Sequence, residues 1–187
     1  MPWKNGLGVT REMAVFPSGA NLERGDFLWR LSSADVGTSG PFSPFPGCDR
    51  LLFILSGDGM ELSVNGKALL LDAPFQAASF RGEDAVSCTL RGGPVRDLNV
   101  ITRRDAFSCA HRKVSLPPEG AVSIPSAGNA AAAVCLGGKL SAEAAGEKFF
   151  LVPHDLLLLD EYLPGERITA RAGGTGADFL LISLFRQ

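Results

Sequence analysis

Thirteen arginines against five lysines are the first chemical asymmetry of this 187-residue chain, and ten of those arginines precede position 113. A guanidinium is planar, permanently charged and equipped with paired donors, so it suits carboxylates and buried ion pairs better than an ammonium does. Around these arginines the first fifty residues are dense in aromatic, acidic and hydroxyl side chains, in the strings WKNGLGVTRE, WRLSSADV and GPFSPFPGCDR. Arg30 with Asp35, or Asp49 with Arg50, could form structural ion pairs. Burying several guanidinium groups with no anion beside them carries a heavy desolvation penalty. The alternatives are internal carboxylates or a pocket that expects an anionic guest, and a small carboxylate metabolite is the simplest guest. Glu12, Asp35, Asp49 and Asp97 supply the carboxyls that general acid–base chemistry would use, although spacing alone does not show which of them meet.

Other chemistries find little support. The two histidines, His111 and His154, form neither an HxH nor an HExxH pair, so no metal and no other cofactor is expected. His111, beside Arg112 and Lys113, reads as a surface residue, and His154, after Pro153, as a turn residue. Cys48, Cys88, Cys109 and Cys135 lie far apart with no CxxC pair and read as free thiols. No GxSxG elbow is present, and the glycines of WKNGLG lack the phosphate-loop pattern. A formal charge of −2 argues against nucleic acid as a partner. No apolar run is long enough for a membrane helix, and MPWKNGLGVTREM has no apolar signal core, so the expectation is a cytoplasmic protein with no membrane partner.

The elements that must position these residues read as strands. Twenty-two glycines and twelve prolines favour turns over helix interiors, and Asn65-Gly66 is a two-residue hairpin signal. Strands are predicted over 10–16, 27–33, 51–55, 61–64, 68–71, 86–90, 95–102, 156–159, 168–171 and 179–185. The chain also resembles itself. GGPVRDLNVI (Gly92 to Ile101) matches GGTGADFLLI (Gly173 to Ile182) without a gap, and Gly59 to Pro74 matches Gly138 to Pro153 in the same order. Two related β units follow, giving an all-β bicupin: two jelly-roll β-barrels packed in one compact body, residues 1–108 and 109–187, with no flexible linker. Sheet edges of this kind invite a homodimer. The repeat sets Arg96 against Ala177, Asn99 against Leu180 and Arg103 against Leu184, so the first barrel is expected to carry the ligand pocket and the second to be filled. Strand alternation places Asp97, Asn99, Ile101 and Arg103 on one face.

The motifs PWKNGLGVTRE, FLWRLSSADV, GPFSPFPGCDR, LLFILSGDGMEL and GPVRDLNVITRR, in this order from Pro2 to about Arg104, resemble the HutD/Ves family. The resemblance implies a bicupin without the usual metal-binding histidines and an association with histidine utilisation. It implies ligand-binding residues at Trp3, Lys4, Asn5, Arg11 and Glu12, at Arg30 and Asp35, at Phe42, Ser43, Phe45 and Arg50, and at Arg96, Asp97 and Asn99. Leu7 stands where the family pattern commonly has a third glycine. The expected function is non-catalytic binding of a small carboxylate such as urocanate or N-formylglutamate by a sensor or governor of that pathway. The alternative is a metal-independent isomerase or hydrolase of a small organic acid.

Overall fold

The computed structural model describes residues 8–73, 75–125, 127–160 and 166–187, and contains strands and turns with no helix among them. The chain divides into two compact units, Met1–Phe107 and Ser108–Gln187. The first unit comprises β1 (Gly8–Phe16), β2 (Trp29–Val36), β3 (Gly40–Pro41), β4 (Cys48–Ser56), β5 (Met60–Val64), β6 (Lys67–Leu71), β7 (Ala77–Arg81), β8 (Val86–Leu90) and β9 (Val95–Arg103). In the second are β10 (Phe107–Leu116), whose first residue belongs to the first unit, β11 (Ala121–Pro125), β12 (Ala130–Ala144), β13 (Glu147–Leu151), β14 (Leu156–Asp160) and β15 (Arg167–Arg186).

The first unit is a sandwich. One sheet runs β1-β2-β9-β4-β7 and the other β3-β8-β5-β6. Their facing side chains, among them Val36, Leu52, Ile54, Met60, Leu62, Phe80, Val86 and Val95, form one buried core. Alternation along each strand sends every second residue into that core. The other face of the five-stranded sheet is buried too, with Leu31, Phe53 and Leu98 fully covered and Phe16 stacked on Trp29 at 5.7 Å. Among the described residues neither sheet closes on itself, so stacked open sheets stand here in place of the expected closed barrel.

A single six-stranded sheet makes the second unit: β10-β15-β12-β13, with β11 also paired to β15 and β14 to β12. Its two long strands carry paired irregularities at Cys135/Gly137 and Gly138/Leu140. Bulges bend a strand, and core residues from both halves of β12 and β15 then meet in one cluster with Phe179 and Leu181. Here β12 does the work that β4 and β5 share in the first unit, and β15 that of β8 and β9.

The pairing registers make the correspondence explicit. Ile54 faces Asp97 and Ser56 faces Arg96 across a bulge, as Cys135 faces Phe179 and Gly137 faces Asp178. The glycine after each bulge is also shared: a Cβ on Gly57 would meet the Pro94 carbonyl, and one on Gly138 the Gly176 carbonyl, both too close to tolerate. In this register Asp97 corresponds to Phe179, Asn99 to Leu181 and Arg103 to Phe185, one residue beyond the ungapped sequence match. A one-residue slip exchanges the faces of a strand. Arg96 therefore corresponds to Asp178, another charged residue, and not to Ala177, whereas the apolar replacement of Asn99 and Arg103 stands with Leu181 and Phe185 as the counterparts.

The β5–β6 hairpin turns at Asn65-Gly66 with φ of 50° and 80°, and its counterpart between β12 and β13 turns at Ala145-Gly146 with φ of 50° and 77°. Two successive positive values make both turns type I′. Alanine is strained there, and asparagine is not. Ala145→Asn is expected to stabilise the protein by about 0.5–1 kcal/mol, read as a rise in the urea midpoint. A variant no more stable than the parent would remove the turn from the list of constraints on this unit.

Candidate functional site

Across β2, β9 and β4 the residues Arg30, Ile101 and Arg50 stand abreast; Ser32, Asn99 and Leu52 form the next row, and Ala34, Asp97 and Ile54 the one after. Glu12 joins the middle row from β1, and Phe80 joins the first from β7. All lie on the face whose Ala34, Leu52 and Ile54 enter the core, so a polar island is built into the interior of the first sandwich. Arg30, Arg50 and Asp97 are 5%, 4% and 1% exposed.

The two arginines are satisfied differently. Arg30 donates from Nε to the half-exposed Glu12 carboxylate at 2.8 Å and from one terminal nitrogen to Ser32 Oγ at 3.0 Å. Arg50 has no carboxylate in hydrogen-bond contact among the described residues. Its guanidinium lies 5.3, 5.1 and 5.0 Å from the ring centroids of Phe42, Phe45 and Phe80, and one terminal nitrogen donates to the Ser43 carbonyl at 2.9 Å. Ring faces attract a cation, and more so when water is excluded. Burial lowers the Arg50 pKa to about 10, opposed by the nearby charge of Asp97, so the group stays protonated at neutral pH.

The aromatic walls are held by the backbone. The Phe42 N–H donates to the Val86 carbonyl at 2.9 Å and the Phe45 N–H to the Gly82 carbonyl at 2.7 Å. Gly82 is required by this approach, because a Cβ there would run into the Phe45 carbonyl. Asp97 accepts from the Ala34 N–H at 3.0 Å, and burial raises its pKa to about 7 against the lowering effects of that hydrogen bond and of Arg50. Two buried polar atoms find no partner among the described residues, Arg50 Nε and Asn99 Oδ1. They project from adjacent rows of one face.

Of the residues expected to bind ligand, Glu12, Arg30, Phe42, Ser43, Phe45, Arg50, Asp97 and Asn99 come together here, Ser43 through its main-chain carbonyl. Arg11 and Asp35 are exposed and project from the opposite face, as does Arg96, which donates to Asp35 at 2.7 Å. Asp178, the counterpart of Arg96, lies 3.7 Å from Lys113, so the outer ion pair recurs in the second unit with its charges exchanged. Trp3, Lys4 and Asn5, with Leu7, lie outside the described residues. Arg103 and Arg104 pin loops: Arg103 donates to the Gly25 carbonyl, and Arg104 to Asp49 and Glu83. Ser32 and Phe80 were not anticipated. Phe80 becomes visible only once β7 is set beside β4, since nothing in its local string marks it.

A raised carboxyl pKa is a statement about stability. Between the unfolded value of 3.8 and the folded value of about 7, the folded chain keeps a proton that the unfolded chain has lost. Stability therefore falls as pH rises through that window. Asp97→Asn keeps an acceptor for the Ala34 N–H and removes the titration. Urea unfolding at pH values spanning the window is expected to show a decline in the parent that is smaller by about 1–4 kcal/mol in the variant. Parallel pH profiles would mean that Asp97 ionises without penalty.

Comparison with known proteins follows this geometry. The family model described as HutD matches residues 1–177. A Pseudomonas putida protein described as an uncharacterized 21.2 kDa protein in the hutC 3′ region is 50% identical over 101 residues, covering 54% of this chain and 52% of that protein. Protein Ves of Citrobacter koseri is 40% identical over 105 residues, 55% of this chain and 52% of its own length. The chain thus spans about half the length of these curated relatives. Among solved structures, a conserved protein of unknown function, PA5104 from Pseudomonas aeruginosa PAO1, is 30% identical with a TM-score of 0.82, covering 100% of this chain and 93% of that one. HutD from Pseudomonas fluorescens SBW25 is 34% identical with a TM-score of 0.80 and the same coverage. A cupin 2 conserved barrel domain protein from Leptotrichia buccalis, 12% identical with a TM-score of 0.64 over 94% of this chain and 88% of that one, shares the fold. With the model matched over nearly its whole length and both full-length likenesses preserving the architecture, this chain belongs to the HutD family.

Proposed function

We propose that the first unit binds a small carboxylate metabolite without transforming it, and that the protein senses or governs the histidine-utilisation pathway through an intermediate such as urocanate or N-formylglutamate. One observation carries this reading: Arg50 Nε and Asn99 Oδ1 are buried, unsatisfied among the described residues, and adjacent. Unsatisfied buried polar atoms are costly, and a carboxylate at Arg50 relieves both the unmet donor and the missing counter-charge. Phe42, Phe45 and Phe80 would enclose the apolar part of such a guest. The cupin-like neighbours support reading each unit as a jelly roll, and the pathway is supported by the family and by the hutC-region relative. A cytoplasmic setting fits a metabolite sensor.

A second reading, a metal-independent isomerase or hydrolase, rests on Asp97. Its carboxyl, with a pKa of about 7 beside a buried guanidinium, is half-ionised near neutrality as a general base would be. Turnover of the same acids followed by NMR separates the two: product formation lost in Asp97→Asn supports catalysis, and unchanged acid supports binding alone.

Isothermal titration with urocanate, N-formylglutamate and glutamate tests the binding reading. At least one is expected to bind, and Arg50→Gln is expected to weaken it by about tenfold to a hundredfold. No heat at millimolar ligand, or equal affinity in that variant, would overturn it. Affinity is also expected to fall as pH rises through about 7, where Asp97 ionises and places a negative charge near the bound carboxylate. Titrations on either side of that pH check the trend, which Asp97→Asn should abolish.

A further inference from the structure

The second unit has a hollow at the place that corresponds by register to part of the polar island. Phe42, Asn99, Ile101 and Arg103 correspond by register to Ile124, Leu181, Ser183 and Phe185. These four, with Ala110, His111, Arg112, Pro125 and Ala127, line a cleft of about 300 Å³ among the described residues. Arg50 itself corresponds to Ala131, and Phe80 to Leu159, so the buried cation and its rings are gone. What remains is a largely apolar recess where the sequence pattern predicts a filled unit.

One cation addresses this recess. Alternation along β10 puts Arg112 on the same face as Val114 and Leu116, which pack against the core of the unit. The neighbouring Lys113 lies on the other face, beside Asp178. Arg112 has no carboxylate partner among the described residues. A long side chain of this kind lays its stem along apolar surface and holds its charged head at the water edge.

We propose that this cleft is a second small-molecule site, for a monocarboxylic acid with an apolar body. The hydrocarbon lies among Ile124, Leu181 and Phe185, and the carboxylate meets Arg112. The chemistry differs from that of the first unit. There, an acceptor and a donor demand are buried together on an otherwise apolar face; here, Arg112 stands at the rim with His111, and the interior is apolar apart from the Ser183 hydroxyl. A diacid would carry a second charge in among Ile124, Leu181 and Phe185, where Arg112 is the one guanidinium of the lining, so succinate is expected to bind much more weakly than phenylacetate.

Phenylacetate, phenylacetamide and succinate titrated into the protein and followed by amide NMR test the proposal. Phenylacetate is expected to shift the Ala127, Ser183 and Phe185 amides to saturation, and succinate to leave them in place. Arg112→Gln, at an exposed position, should weaken the acid about fivefold and leave phenylacetamide binding as in the parent. Ala127→Trp or Ala110→Trp, each at an exposed wall, should block the site while the rest of the spectrum stays dispersed. Arg50→Gln should leave these shifts intact, which keeps the outcome separate from that of the first site. The proposal is overturned by an absence of shifts at millimolar phenylacetate, by shifts confined to residues around Arg50, or by equal affinity for the acid in Arg112→Gln.

Discussion

Arg50 occupies a position on β4 where the stacking of two sheets would ordinarily place a Leu or an Ile, between Ile101 on one side and Phe80 on the other. Nearly every feature of the first unit's interior answers that charge. Three aromatic rings face it, the Ser43 carbonyl takes one of its protons, and Gly82 lets the Phe45 segment lie close enough to form a wall. Asp97 is near enough to be felt electrostatically by Arg50, yet its own hydrogen bond goes to the backbone of β2. A buried cation compensated by rings, a carbonyl and the nearby charge of Asp97 is stable enough to fold around.

The duplicated unit shows what the same framework becomes when that charge is withdrawn. The bulge, the glycine after it and the type I′ hairpin are kept, so backbone geometry is common to both halves. Side chains on the inner face change together: Arg50, Asp97 and Asn99 give way to Ala131, Phe179 and Leu181. The substitutions are coupled for a physical reason. Leaving any one polar member behind would strand an unpaired buried group, and removing the guanidinium alone would take from Asp97 the one cation that acts on it among the described residues.

Much of this was legible in the sequence, and the failures have specific causes. Strands with β-branched or alternating patterns, such as β4, β5 and β9, were found within a few residues of their ends, and Asn65-Gly66 marked its turn. The second unit was harder. The run Ala130 to Ala133 carries no strand signature, because alanine favours helix and is depleted in strands, and only pairing on both sides makes β12. Polar β10 carries no strand pattern in the sequence because its exposed His111, Arg112 and Lys113 mask the alternating Val114 and Leu116. The internal repeat located the right strands but in a register one residue short, which is the error that matters most in a β protein. It drew Arg96 towards the site, where pairing sets it on the outer face against Asp35. The cage was half visible: Phe42 and Phe45 sit in one dense string with Arg50, while Phe80 is brought by a strand thirty residues on.

On the proposed binding reading, the geometry around Arg50 would also limit how a ligand approaches. With rings at 5.3, 5.1 and 5.0 Å from the guanidinium and Ser43 holding one terminal nitrogen, contact with the remaining donors is made along the plane of the group. Arg50 Nε is one unmet atom, and the other is the side-chain oxygen of Asn99, one row along the same face. A guest bridging the two would have to present both an acceptor and a donor, or a carboxylate with a retained water as the donor. A bare halide or a monoatomic anion satisfies only the first demand. On the binding reading proposed above, charge alone would therefore be a poor basis for selection, and the unmet atoms of Arg50 and Asn99 would let hydrogen-bond pattern, more than charge, tell one small acid from another.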